Sequence, residues 1–253
     1  MIDKGKYKLE FWDDFKCSEL DTDKWLPYYL PQWSSCRKAS ARYRIEDSIL
    51  TLYIDKDQMP WSPEYNGDIR VSSLQTGVFS GGLGSKEGQH HFSQELVVRE
   101  VQKPQKLYTP KYGYIEFKGR CRIAPYHVAA FWMIGFEDQP HCSAEICIFE
   151  LKGSNIDSDV AKIGYGVHPF GDSSITDEFY EEQIEIDVKD WNVYGAEWLP
   201  DRIHFYINGE LIRTIHQSPQ YEMQFMLNIY DLENRNEVDA TFDIDYVAGY
   251  SLI

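Results

Sequence analysis

The chain has 253 residues, enough for one large all-β domain or two small domains, and 15% of them are aromatic. Acidic residues outnumber basic ones by 41 to 25, so the formal net charge is −16. This charge repels phosphate backbones and anionic lipid surfaces, and it therefore argues against nucleic acid and membranes as partners. The first ten residues carry charges where an export signal needs its apolar core, and no apolar run approaches a membrane span.

The five cysteines leave at least one thiol unpaired and lack the C-x-x-C pairs of a zinc site. An odd number favours a reducing compartment. As written, the chain is expected to be cytoplasmic, and it is expected to be secreted if an export signal has been removed. No pattern indicates a required cofactor or an oligomeric state.

Short strand-like segments follow one another along the first half of the chain. The aromatic segment 28–33 contains a proline and is predicted to be a loop, in which Trp33 is interpreted as a ligand platform rather than a core anchor. Residues 41–54 predict a hairpin that turns at 46–48. The glycine-rich segment 81–91 is predicted to be a mobile loop with solvated histidines at its end, and residues 90–109 a lid or an ordered crossover.

The second half of the sequence is also predicted to consist mainly of strands. Residues 112–123 alternate apolar and polar side chains, and the continuous apolar run 129–135 predicts a strand buried on both faces. Asn208-Gly209 is a strong hairpin signal. With a dozen or more short antiparallel strands and no long amphipathic helix, residues 1–253 are predicted to form one all-β domain, either a sandwich or a jelly roll.

Two glutamates interrupt the apolar strand that follows. Glu145 and Glu150 are five positions apart, an odd offset that places side chains on opposite faces of a regular strand. One extra residue in a β-bulge restores the parity and brings Glu150 to the face of Glu145 and Cys147. The two Cα atoms would then lie roughly 13 Å apart, so that converging side chains reach the separation of a retaining glycosidase pair, about 5–5.5 Å. Rim charges remain the more common use of such glutamates.

Two residues on other strands are candidates for the same site as the two glutamates. Trp132 is predicted beside the carboxylates because consecutive strands usually pair. His168, on a later strand, either faces the same cleft or is bonded in a core or at a rim.

The order of these segments resembles glycoside hydrolase family 16 over nearly the whole chain. The most specific match is residues 145–150, EICIFE, against the family pattern E-x-D-x-x-E, and the flanking matches include YGYIE at 112–116, FWM at 131–133, EW at 197–198 and NGE at 208–210. The resemblance implies a jelly-roll sandwich with a concave substrate cleft, with Glu145 as nucleophile and Glu150 as general acid/base.

The resemblance also implies roles for other residues. Trp132 and Trp33 would stack on sugar rings, and His168 would hydrogen-bond near the cleaved bond. Cys147 stands where the family has its central aspartate, so a neutral thiol replaces a charge that helps set the proton balance. Asp245 matches a ligand of a structural calcium, an ion that takes six to eight oxygens.

The function expected from the resemblance is a retaining endo-β-glycanase. A polysaccharide or oligosaccharide is the expected partner, with β-1,3- or mixed β-1,3/1,4-glucan as the substrate, because no cluster of lysine and arginine is obvious near the cleft segments. The alternatives are a noncatalytic β-glucan-binding protein on the same scaffold and a transglycosylase.

Overall fold

A computed structural model describes residues 4–235 and 240–253. The strands, in chain order, are β1 (Tyr7–Asp13), β2 (Tyr43–Glu46), β3 (Ile49–Tyr53), β4 (Arg70–Gln75), β5 (Gly77–Val78), β6 (Gln105–Lys106), β7 (Gly113–Arg122), β8 (His127–Gly135), β9 (Glu145–Lys152), β10 (Ile156–Asp157), β11 (Val160–His168), β12 (Glu178–Ile184), β13 (Asn192–Trp198), β14 (Ile203–Ile207), β15 (Glu210–Ile215), β16 (Met223–Asp231) and β17 (Thr241–Leu252). The helices of this part are one short α-helix, α1 (Pro63–Asn66), and the 3₁₀ turns Lys4–Lys6, Pro31–Trp33 and Gly153–Asn155.

Two antiparallel sheets make up the sandwich. The first has eight strands in the order β15-β14-β13-β7-β17-β3-β2, with β1 also paired to β17. The second has seven strands in the order β10-β11-β9-β8-β16-β4, with β12 also paired to β11. The short pair β5-β6 stands apart. The predicted all-β sandwich is confirmed.

The main core lies between the two sheets. The ring of Phe117 on β7 is 5.0 Å from that of Phe131 on β8 and 5.4 Å from that of Phe149 on β9. All three side chains are buried, and each contributes about 1.5–3 kcal/mol by leaving water. The strands of the seven-stranded sheet are therefore held from one side by apolar packing.

A second apolar cluster covers part of the opposite face of that sheet, which we call the cleft face. Along β8 the residues alternate strictly, with Phe131 in the main core and Ala130 and Trp132 in the second cluster. Every residue of β8 is buried, which confirms the prediction of a strand covered on both faces. The loops before β2 and between β3 and β7 contribute Trp33 and Trp61, and other strands of the sheet contribute Val71, Cys147 and Met226.

Both hairpin predictions are confirmed. The strands β2 and β3 are joined at Asp47 and Ser48, and β14 and β15 at Asn208 and Gly209, and all four of these residues have positive φ. The connection from 90 to 109 is an ordered crossover, because Leu96 and Val98 are buried in the second cluster. Within the described residues, no helix has the length and apolar character needed to cross a membrane.

Candidate active site

The predicted bulge is present in β9. Opposite β8, Cys147 pairs with Trp132 and Phe149 pairs with Phe131, so one residue of β9, Ile148, has no partner across the ladder. The register of β9 against β11 shifts over the same residues. This irregularity changes the parity of the strand, and both Ile148 and Phe149 turn towards the main core.

The bulge brings both glutamates to the cleft face. Glu145 pairs with Ile134 of β8, and Glu150 pairs with Ala130. These two partners are four positions apart on a regular strand, an even number, so their neighbours on β9 point the same way, with Cα atoms roughly 13 Å apart. Both glutamates and Cys147 line one cavity.

This cavity has a volume of about 350 Å³ and opens on the cleft face. A volume in this range suits a small-molecule ligand of a few rings. Its walls come from β8, β9, β11 and β16 and from the loops around them, and its lining residues are Tyr29, Asn66, Ile69, His90, Val128, Ala130, Trp132, Glu145, Cys147, Glu150, His168, Phe170, Tyr230 and Leu232.

Glu145 has an unusual proton affinity. Burial, followed by the negative charges of Glu150 and Asp177, raises the pKa of Glu145 to about 8. In the ligand-free cleft Glu145 therefore holds its proton at neutral pH. Glu150 is more open, with 29% of its side chain exposed, and its Oε1 lies 3.5 Å from the ammonium of Lys152.

Cys147 lies between the two glutamates on the same face and is 1% exposed. Burial raises the pKa of its thiol well above the ordinary value, and the charges of Glu150 and Glu145 add to the effect. The thiol is therefore neutral. The position that carries an aspartate in the family pattern adds no charge to this cavity.

His168 faces the cavity. This is the first of its two predicted positions, the other being a hydrogen-bonded position in a core or at a rim. It pairs directly with Glu145 across β9 and β11. Its Nδ1 lies 2.6 Å from Asp177 Oδ1, and its ring stacks on Phe179 at 4.8 Å. These two contacts fix the ring plane, so that the imidazole is held next to the carboxyl of Glu145.

The two predicted sugar platforms differ in placement. Trp132 lines the cavity, and its indole N–H donates to Asn228. Trp33 does not line this cavity: it is 1% exposed, and its indole N–H donates to the carbonyl of Gln89 at 2.8 Å. The platform prediction for Trp33 is wrong, because the surrounding loops bury its ring in the second apolar cluster.

His90 is a cavity residue that the sequence prediction placed on a mobile loop. Its ring packs 5.0 Å from that of Trp132 and 4.7 Å from that of Phe170. Its backbone has a φ of 53°, and its N–H donates to the carboxyl of buried Glu137. Burial, with a smaller effect of His168, lowers the pKa of His90 to about 3, so the imidazole is neutral.

Two tyrosines were also missed. Tyr29 and Tyr230 line the cavity, and their rings meet edge to face at 5.6 Å. Tyr29 lies in the aromatic loop 28–33, in which Trp33 was predicted to contact the ligand. The loop was therefore predicted correctly, but the wrong aromatic residue in it was chosen. Asn66, the last residue of α1, also lines the cavity, and no pattern in the surrounding sequence indicated this.

The Asp245 carboxylate does not fit a calcium site. It forms an ion pair with Lys118 at 2.7 Å, where a cation would have to displace the ammonium. Residues 4–235 and 240–253 contain no group of three or more histidine, cysteine, aspartate or glutamate side chains placed to hold a metal. We derive no step of catalysis from calcium.

Two carboxyls that open on one aromatic-lined cavity of a β-sandwich are an arrangement typical of a glycoside hydrolase. The chain belongs to glycoside hydrolase family 16: the model of glycosyl hydrolases family 16 matches residues 105–248. The predicted family is confirmed.

Solved structures support this assignment. The GlcNAcα1-4Gal releasing endo-β-galactosidase from Clostridium perfringens matches with a TM-score of 0.87 and 30% identity, over 100% of this chain and 64% of that one. This chain thus spans about two thirds of that protein's length. The catalytic domain of an endo-1,3-β-glucanase (laminarinase) from Thermotoga petrophila has a TM-score of 0.67 and 16% identity, over 97% and 98% of the two chains. A laminarinase from a Flavobacterium has a TM-score of 0.64 and 18% identity, over 96% and 100%. No curated protein matches the chain.

Proposed function

We propose that this protein is a retaining endo-β-glycanase, with Glu145 as the nucleophile and Glu150 as the general acid/base. The observation that carries the proposal is the bulge at Ile148, which turns both carboxyls into one cavity. A retaining pair must approach a single anomeric carbon from two sides without leaving room for a water between the carboxyls. Side chains that converge from two Cα atoms about 13 Å apart meet this requirement.

The first step needs one proton and one free carboxylate. Because burial raises the pKa of Glu145 to about 8, Glu145 holds a proton at neutral pH. The proton must move to Glu150 before Glu145 attacks the anomeric carbon. Glu150 then donates it to the leaving oxygen, and a covalent glycosyl-enzyme forms. In the second step Glu150 deprotonates the water that releases the sugar.

The neighbouring side chains support these two steps. His168, fixed by Asp177 and Phe179, is placed to hydrogen-bond the substrate next to Glu145. Trp132 supplies an apolar surface to a sugar ring at the floor of the cavity. The neutral thiol of Cys147 adds no third carboxylate beside the two glutamates.

We propose a β-galactoside as the substrate, with β-1,3- or mixed-linked glucan as the second candidate. The endo-β-galactosidase from C. perfringens is 30% identical to this chain over the whole of this chain, whereas the glucanases are 16–18% identical and indicate the fold alone.

The test is product formation from a panel of substrates, with Glu145→Gln as the inactive control. We expect new reducing ends from β-galactoside-containing glycans and little from laminarin or lichenan. Release from glucans alone would establish the second candidate. Binding without release from any member would establish a noncatalytic module, and a dominant yield of lengthened oligosaccharides would establish a transglycosylase.

The roles of the two glutamates have their own test. Azide can enter the space left by a truncated carboxyl and attack the anomeric carbon from that side. With an activated aryl β-glycoside, Glu145→Gly should therefore give the α-azide and Glu150→Gly the β-azide. The reverse pattern would exchange the two roles, and products of inverted configuration from the wild type would refute the retaining mechanism.

A further inference from the structure

A second recess, which we call the basic groove, lies outside the catalytic cavity. It has a volume of about 460 Å³, and its lining includes the cationic side chains of Arg37, Lys38 and Arg42 and one acidic side chain, Asp57. Within residues 4–235 and 240–253, none of the three cations forms an ion pair. Three cationic side chains and one acidic side chain therefore give this groove a net positive charge in a protein whose formal charge is −16.

The backbone under the basic groove is fixed by hydrogen bonds. The N–H of Arg42 donates to Ser72 Oγ at 2.9 Å. The side chain of Gln58, which lines the groove and is 6% exposed, donates to the carbonyl of Val71 at 2.6 Å. The cations thus project from anchored segments, so that binding an anion requires ordering of the side chains alone.

The basic groove and the catalytic cavity share one wall. Pro63 lines the groove, and Asn66 lines the cavity. Both belong to α1, in which three residues correspond to a rise of roughly 4.5 Å. A glycan bound next to Glu145 can therefore extend past α1 into the groove.

We propose that the basic groove binds an acidic substituent, a sulfate ester or a carboxylate, of a glycan whose neighbouring sugar occupies the catalytic cavity. Two guanidinium groups present forked donors that match the paired oxygens of such an anion, and the ammonium of Lys38 adds a third charge. Arg37, Lys38 and Arg42 line one groove, so an acidic glycan becomes an alternative to the neutral glucan expected from the sequence. The link to the catalytic cavity rests on the proposed function, whereas anion binding by the groove does not.

The first experiment measures retention on a dextran sulfate matrix at low salt. The net charge alone predicts that the wild type is repelled, whereas the basic groove predicts that it is retained. The double variant Arg37→Gln/Arg42→Gln should elute unretained, and the matched double variant Arg122→Gln/Lys189→Gln, which removes two exposed cations elsewhere, should behave as the wild type. Melting temperatures and circular dichroism establish that all variants are folded.

A wild type that passes unretained, or a groove variant retained like the wild type, would overturn the proposal. A parallel matrix that carries carboxylates identifies the anion. Retention on both matrices indicates that the groove binds both kinds of anion, and retention on dextran sulfate alone indicates that it selects sulfate esters. Since retention needs no catalysis, this outcome does not depend on the proposed function.

The second experiment connects the groove to catalysis. For a sulfated β-galactoside oligosaccharide, each removed cation should raise KM by up to about fivefold, as expected for an exposed ion pair. The desulfated form of the same oligosaccharide should show no difference between the groove variant and the wild type. An equal rise in KM for both forms would refute specific recognition of the anion.

Discussion

Replacing Cys147 with aspartate adds a third carboxyl to the catalytic cavity. Each additional negative charge makes it harder to remove the last proton from the cluster. The wild type is expected to lose activity as the pH rises through about 8, where Glu145 gives up the proton that the pair shares. Cys147→Asp should therefore shift the upper limb of the kcat/KM profile to higher pH.

The size of the shift follows from the strand geometry. Cys147 and Glu145 are two positions apart on one face, so the charges lie roughly 7 Å apart. At an effective dielectric constant of about 20 they interact by about 2.4 kcal/mol. This energy corresponds to roughly 1.7 pKa units. A shift of one to two units is the order to expect.

The assay is kcat/KM between about pH 5 and about pH 10 for wild type, Cys147→Asp and Cys147→Asn. Asparagine has the shape of aspartate without its charge, so its upper limb should stay with that of the wild type. A carbon-13 NMR titration of labelled glutamate reads the same proton affinity without a substrate. Coinciding limbs for the aspartate and asparagine variants would refute the electrostatic reasoning.

Three further predictions concern stability, packing and metal. Because the pKa of Glu145 is 4.5 in an open chain and about 8 in the fold, the folded state binds more protons and loses stability as the pH rises between these values. In calorimetry, the Tm of Glu145→Gln minus the Tm of the wild type should therefore increase as the pH rises across that range. A difference in Tm that does not change with pH would contradict this prediction. Trp33→Phe should lower the Tm and leave KM unchanged, whereas Trp132→Phe should raise KM, since only the second ring lines the cavity. Because Lys118 already neutralises Asp245, a chelator should leave the Tm unchanged, and a drop reversed by calcium would show that a site was missed.

The face of a strand on which a side chain lies depends on a few consecutive residues. Features of this local kind could be predicted from the sequence. The odd offset between Glu145 and Glu150 and the apolar residues between them required a bulge if both glutamates were to act together. The hairpin at Asn208 followed in the same way from the preference of its turn for positive φ. These features depend on a few consecutive residues and the faces they occupy.

Contacts between distant loops were not predictable in this way. Trp33 is buried because residues 81–104 fold over it, and its hydrogen-bond partner Gln89 is 56 positions away. His90 reaches the cavity because its left-handed backbone is held by Glu137. Composition assigns such loops to the surface, but two tryptophans and several aliphatic side chains gave these loops enough apolar area to form the second cluster.

The two apolar clusters connect the fold to the chemistry. The seven-stranded sheet is packed on one face by the main core and on part of the other by the second cluster, and Glu145 lines the cavity beside the second cluster. Desolvation is the largest cause of the raised pKa of Glu145. An uncovered cleft face would let that carboxyl ionise near its ordinary pKa, and the pair would then lose its shared proton at a lower pH. The loops that bury Trp33 thus help to set the pH at which the carboxyl pair can act, although Trp33 itself never reaches the cavity.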